Sequence, residues 1–212
     1  TEEGCNFAFT LSKCKVIVAN DDNGNDIVGS IGGTSFTNVL TNDTMNGAAF
    51  AASEVNLSFI SATHSGITLV GNNVIVTPGT PAGNYTLTYQ ICEVASPSNC
   101  DTAIVTVRVL ASDIDANNDI GQPISGYTGG IGYANVLVND TLNGVLVNPS
   151  EVVTTFVSSN HPGITLSGVD VMVAAGTPAG VYVLNYQICE VLNPSNCDTT
   201  TVKIIVVAPA ID

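Results

Sequence analysis

The sequence predicts an all-β protein built as two tandem immunoglobulin-like (Greek-key) β-sandwich domains. Three observations lead there. A long stretch recurs 97 residues on, so that YQICEVASPSNCDTA from Tyr89 returns as YQICEVLNPSNCDTT from Tyr186. Apolar and polar residues alternate with period two in the segments between turns. The composition, rich in Gly, Asn, Thr, Ser, Val and Ile with little Lys or Glu, suits strands and turns rather than helices.

The repeat is the firmest element. Asn42-Asp43-Thr44 aligns with Asn139-Asp140-Thr141, and His64-Ser65-Gly66-Ile67-Thr68-Leu69 with His161-Pro162-Gly163-Ile164-Thr165-Leu166. From Gly79 to Thr102 only positions 84, 86, 88, 95 and 96 differ from their partners. Two copies of one module follow. The predicted boundaries are 1–19, an amino-terminal hairpin or strand segment; 20–112, the first repeat; and 113–212, the second.

Strands are expected in the first repeat at Ser35–Leu40, Glu54–Ser61, Ile67–Leu69, Asn73–Thr77, Tyr85–Glu93 and Ala103–Leu110. In the fifth, Tyr85, Leu87, Tyr89 and Ile91 alternate with Thr86, Thr88 and Gln90, which buries one face. Pro81-Ala82-Gly83 just before it reads as a turn, with Gly free to take a positive φ. Six or seven short strands per repeat fit a sandwich.

Six cysteines fall in three close pairs: Cys5/Cys14, Cys92/Cys100 and Cys189/Cys197. An even number at short spacing implies disulfides and an oxidising compartment. Zinc would need a different spacing and nearby His, and a redox-active pair would want a basic neighbour. As staples across the last hairpin of each repeat, the second and third pairs would each add roughly 2–3 kcal/mol.

The formal net charge of −14, with four Lys plus Arg against eighteen Asp plus Glu, argues against nucleic acid and against anionic membrane surfaces. No stretch approaches the ~18 apolar residues of a membrane span. Divalent cations are the natural partners of such a chain. Asp113, Asp115, Asn117 and Asp119 place oxygen ligands on alternate residues of the linker, and Asn20, Asp21 and Asp22 precede the first repeat. Sandwich topology brings Asn42 and Asp43, or Asp140 beside Asn139, to the same pole, with Glu93/Asp101 and Glu190/Asp198 as further oxygens. Ca²⁺ at these sites would stiffen the junction; alternatively, the side chains cap turns and stay solvated. The spacing is not that of an EF-hand, since Asn118 and Ile124 stand where Gly and Glu are required.

NVLTNDTMNG, NVLVNDTLNG and the endings YQICEV…PSNCDTAIVTV resemble the Ig-like or cadherin-like tandem repeats of large bacterial surface adhesins of the Bacteroidota, including gliding-motility adhesin repeats. The resemblance covers about 20–212. It implies a spacer or stalk outside the cell, with calcium at domain junctions. Separately, Thr44, Thr102, Thr141 and Thr199, each following Asp and preceding an apolar residue or Thr, resemble the acceptor pattern of Bacteroidota O-glycosylation and are candidate sites; alternatively, Asp-Thr is ordinary loop-to-strand chemistry.

His64 and His161, the two histidines, sit at equivalent turns without Cys or acidic neighbours, and read as turn residues. No nucleophile elbow, phosphate loop or metalloprotease helix appears, and no enzyme activity is expected. Residues 1–19 read either as the last hairpin of a preceding repeat or as a strand donated to an identical subunit. The expected partners are therefore neighbouring repeats or identical subunits, with a surface glycan or protein ligand as the alternative.

Overall fold

The computed structural model describes residues 15–209. The proposed Cys5–Cys14 pair, and the hairpin or donor strand expected around it, lie outside those residues. The chain divides into two compact units, 1–111 and 112–212. The boundary falls between Ala111 and Ser112.

The first unit contains β1 (Ile17–Val18), β2 (Asp22–Asn23), β3 (Ile27–Val28), β4 (Gly33–Phe36), β5 (Thr44–Met45), β6 (Val55–Ala62), β7 (Ile67–Val70), β8 (Asn73–Val76), β9 (Gly83–Glu93) and β10 (Ser96–Leu110). One sheet has the order β2-β10-β9-β6, with β3 also on β10; the other has the order β4-β8-β7. The strands β1 and β5 form a separate antiparallel pair that matches Ile17 to Met45. Thus Ile17 and Val18 are built into the first unit rather than standing apart from it.

Period two decides which residues fill the space between the sheets. Leu87, Tyr89 and Ile91 of β9 and Val105, Val107 and Val109 of β10 point inward. They meet Ile67 of β7 and Val74 and Val76 of β8 in one buried cluster. All nine are at most 2% exposed. Burying side chains of this size is worth roughly 1.5–3 kcal/mol each, set against the entropy of ordering the chain.

The second unit repeats the plan with β11 (Ile114–Asp115), β12 (Asp119–Ile120), β13 (Ile124–Ser125), β14 (Gly130–Tyr133), β15 (Thr141–Leu142), β16 (Val145–Leu146), β17 (Val152–Ser159), β18 (Ile164–Ser167), β19 (Asp170–Val173), β20 (Gly180–Glu190) and β21 (Cys197–Val207). Its sheets run β12-β21-β20-β17, with β13 also on β21, and β14-β19-β18. The pair β11-β15 extends into β16. Leu184, Tyr186, Ile188, Val202 and Ile204 are fully buried in its core.

The turn before β9 differs in detail from the sequence reading. The positive φ belongs to Gly79 (84°) and its counterpart Gly176 (85°), while Gly83 opens the strand. A second glycine is required by close approach: a Cβ on Gly29 would lie 1.9 Å from the Thr80 carbonyl oxygen, and one on Gly126 would lie 2.0 Å from that of Thr177. Here the residue just after β3, or after its counterpart in the second unit, touches the turn before the penultimate strand backbone to backbone, and only hydrogen fits.

Cys92–Cys100 and Cys189–Cys197 are disulfides, joining residues directly opposite on β9/β10 and β20/β21. Replacing both cysteines of either pair by serine is expected to lower that module's unfolding free energy by about 2–3 kcal/mol, mainly by freeing the unfolded chain. Chemical denaturation of each double variant measures the loss. A change under about 0.5 kcal/mol would mean that the hairpin needs no staple.

Candidate functional site

The site in each unit is built where the penultimate strand reaches the pole that carries the chain's first strands. Tyr89 sits on the inward face of β9 and is wholly buried. Parallel pairing sets Asp22 opposite Val105 and turns its carboxylate inward. The pairing of β1 with β5 draws in Asp43, one residue ahead of β5. Asp22 and Asp43 are 4% and 2% exposed.

The Tyr89 hydroxyl lies 3.1 and 3.2 Å from the two oxygens of Asp43, 3.5 Å from Asp22 Oδ2, 3.0 Å from the Val39 carbonyl and 3.2 Å from that of Asn20. A phenol has one proton to give, yet five acceptor oxygens surround it. The Asn20 amide N–H donates to Asp43 Oδ1 at 2.7 Å.

The second unit reproduces the arrangement. Tyr186 Oη lies 3.1 and 3.0 Å from the oxygens of Asp140, 3.4 Å from Asp119 Oδ2, 2.9 Å from the Val136 carbonyl and 3.3 Å from that of Asn117. The Asn117 amide donates to Asp140 Oδ1 at 2.7 Å. Among the described residues, Asp119 Oδ1 and Asn139 Oδ1 are buried without a hydrogen-bond partner. Tyr133 borders this cluster where the first unit has Phe36. Burial, then a hydrogen bond to Asp119, pushes its phenol up to about 12.

The electrostatics follow from burial without a counter-charge. Desolvation, followed by the charge of Asp43, pushes Asp22 up to about 6. Desolvation likewise pushes Asp140 up to about 6, and raises Asp43 and Asp119 above the ordinary carboxylate range. Both tyrosines are raised, first by burial and then by the adjacent carboxylates, so each hydroxyl keeps its proton. Two of the chain's few cations are engaged elsewhere: Lys15 lies near Glu54 and Glu93, and Arg108 holds Asp26.

The residues expected to bind calcium divide between these two clusters and the surrounding backbone. Asn20, Asp21, Asp22, Asn42 and Asp43 belong to the first unit, and Asp113, Asp115, Asn117, Asp119 and Asp140 to the second. Asp21 accepts the Ile104 N–H at 2.8 Å, and Asn42 donates to the carbonyls of Asn20 and Asp21. Asp101 and Asp198 accept the N–H groups of Ala19 and Ala116, each at 2.9 Å. Asp113 and Asp115 are exposed. Among the described residues no three His, Cys, Asp or Glu side chains are grouped as a metal-binding set.

Tyr89 and Tyr186 were not legible as site residues. They sit in phase with the apolar face of their strands, so periodicity files them as core. Glu190, expected as a further oxygen at the pole, is buried and accepts from Ser112, Asn193 and Asn196. Despite its desolvation, these bonds hold it below the usual range. His64 and His161 each accept a hydrogen bond from a nearby backbone N–H, that of Gly66 or Gly163, at 3.0 Å, and pack against Tyr85 and Tyr182. Thr102 and Thr199 are exposed on β10 and β21, while Thr44 and Thr141 are half-buried.

No protein family matches the chain, and no curated protein matches it. Solved structures similar to it include extracellular cadherin domains 3–6 of protocadherin gamma B2, at 12% identity and a TM-score of 0.37, over 92% of this chain and 53% of that one. A second is the pair of first two extracellular domains of human mucin-like protocadherin, at 8% identity and a TM-score of 0.38, over 93% of this chain and 100% of that one. A third is a SusE-like surface polysaccharide-binding protein of Bacteroides thetaiotaomicron, at 14% identity and a TM-score of 0.33, over 91% and 33%. The chain thus spans about half the length of the first of these. Likenesses this distant assign no function, and the fold rests on the strands themselves.

Proposed function

We propose that the chain is a load-bearing repeat region of an extracellular bacterial stalk, adhesin or filament. On this reading it catalyses no reaction and joins neighbouring repeats or identical subunits. The observation that carries it is the parallel pairing of two early strands of each module with its last strand. β2 and β3 run parallel to β10, with Asp22 opposite Val105 and Ile27 opposite Val109. β12 and β13 run parallel to β21 in the same way. In a parallel pair the chain leaves the two strands at opposite ends of the shared ladder. Tension on the module's ends then slides the strands past one another and loads their hydrogen bonds together. The two disulfides support an oxidising location outside the cell.

Calcium belongs to this proposal as a stiffener of each module's acidic pole. Its candidate ligands are the paired carboxylates Asp22/Asp43 and Asp119/Asp140 with the carbonyls beside them, an all-oxygen set of the kind hard cations take. Thr102 and Thr199 are the exposed candidates for O-glycans; an intact mass of native material equal to that of the bare polypeptide removes them.

Single-molecule stretching of the chain tests the mechanical reading. Each module is expected to open in one abrupt, high-force event, at higher force in calcium than in chelator. Gradual low-force opening would contradict a load-bearing role. Failure of calorimetry to detect calcium binding would remove the ion and leave the mechanical reading standing.

A further inference from the structure

The two units differ beside the stapled hairpin in a way that the repeat makes easy to see. Lys15, just ahead of β1, stands where the second unit has Ser112. Lys15 Nζ lies 3.3 Å from Glu93 Oε1. Asn99 Nδ2, from β10, lies 3.1 Å from Glu93 Oε2 and 2.8 Å from the Lys15 carbonyl oxygen. Glu93, the last residue of β9, is 5% exposed. A primary amine and a primary amide are thus held on the two oxygens of one buried carboxylate.

The second unit shows that the lysine is not needed to hold that carboxylate. There Glu190 is satisfied by neutral donors: Ser112 Oγ at 2.8 Å, Asn193 Nδ2 at 2.9 Å and Asn196 Nδ2 at 2.9 Å. Asn196 also donates to the Ser112 carbonyl at 2.8 Å, as Asn99 does to that of Lys15. The glutamate–asparagine clasp is common to both units, and only the first adds an amine to it.

We propose that Lys15 and Asn99 become joined by an isopeptide bond, with Glu93 carrying the protons. Lys15 Nζ gives a proton to Glu93, and its freed lone pair attacks Asn99 Cγ. In the tetrahedral adduct the amide nitrogen takes that proton from Glu93, the Lys15 nitrogen gives its second proton to the Glu93 carboxylate, and the bond from Cγ to the amide nitrogen breaks, releasing ammonia. One C–N bond forms and one breaks, with no change of oxidation state and no outside reactant. Free amines do not attack amides at neutral pH at a useful rate. Fixing both partners on one carboxylate replaces a bimolecular encounter by an intramolecular one, and a positioned acid–base supplies the proton transfers. The Lys15 side chain is 39% exposed, which gives ammonia a way out.

The bond would tie the residue ahead of the first strand to the last strand. Strands β1 to β9 lie between Lys15 and Asn99 in the chain, so tension entering at Lys15 would bypass them through a covalent link. The chemistry does not depend on the load-bearing reading and stands or falls separately.

Intact mass of the full chain, after denaturation and reduction, is the test. The expected mass is below that of the reduced sequence by one ammonia. Proteolysis should yield a single branched peptide containing Lys15 and Asn99. Lys15→Arg, which keeps the charge without the nucleophile, and Glu93→Gln should each return the full sequence mass. A wild-type chain of full mass, with no branched peptide after prolonged incubation, overturns the proposal. So does conversion of Asn99 to aspartate by water instead. These outcomes are read on the wild-type chain, so a variant that fails to fold does not obscure them.

Discussion

Exchanging Tyr186 for alanine is expected to cost the second module about 4–5 kcal/mol, a third or more of its whole stability. Removing a fully buried aromatic ring from a packed core costs about 3–5 kcal/mol, and Tyr186 is 0% exposed between the sheets. The hydroxyl adds to this. Without it, Asp140 and the Val136 carbonyl lose the phenolic donor at 2.9–3.1 Å in a buried site. A module of this size has roughly 5–15 kcal/mol in all, so its transition should fall by about 20 °C or more. Tyr186→Phe keeps the ring and should cost about 2 kcal/mol. The difference between the two variants separates packing from hydrogen bonding. Calorimetry reads both, with the unchanged first module as internal reference. An alanine variant melting within a few degrees of wild type would show that the cluster does not anchor the loops to the core.

Stability in metal-free buffer is expected to rise as pH falls from 7.5 to about 5. The sign follows from the direction of the shifts. Asp22 and Asp140 have folded-state values of about 6, above their ordinary 3.8, because burial penalises the charge. The folded state therefore holds protons that the unfolded chain has already released. The stability tied to those protons is full below about pH 4 and is lost as pH rises through 6. Each carboxylate pair acts as a unit, so the proton belongs to Asp22/Asp43 or Asp119/Asp140 together. Opposing groups set the lower limit. Asp26, held down by its hydrogen bond to Arg108, and Glu190, held down by its asparagine and serine donors, lose stability when protonated below about pH 4. A maximum near pH 4.5–5 results, several degrees above the value at 7.5. Asp22→Asn with Asp140→Asn leaves a single carboxylate, Asp43 or Asp119, at each site and should reduce the slope above pH 5. A melting temperature that climbs steadily from pH 5 to 7.5 would contradict the buried-charge account.

Much of the architecture could be read before any coordinates. Alternation along Tyr85–Ile91 named the inward face of β9, and Leu87, Tyr89 and Ile91 are fully buried there. The strand expected at Ala103–Leu110 is the core-forming part of a longer one, Ser96–Leu110. The two-residue strands β2, β3 and β5 were not foreseen, because two residues cannot show a period, and β1 was expected only as part of an undivided 1–19 segment. They owe their conformation to partners far along the chain: β2 to Val105 and Thr106, and β1 to Thr44 and Met45. The acidic residues were legible as a group, but their individual partners were not. Asp21 and Asp22 are neighbours, yet one caps an N–H of β10 at the surface while the other is buried against Tyr89.

The amino-acid sequence alone determined that there are two copies of one β module and which cysteines close its last hairpin. Repetition and period two are properties of the chain itself and survive without coordinates. Only the folded structure decided that Tyr89 meets Asp22 and Asp43, and that Lys15 and Asn99 share Glu93. Those side chains are separated by tens of residues. The register and packing of the sheets decide whether such distant groups arrive within bonding distance. That register is settled by the whole core at once, and no local stretch encodes it.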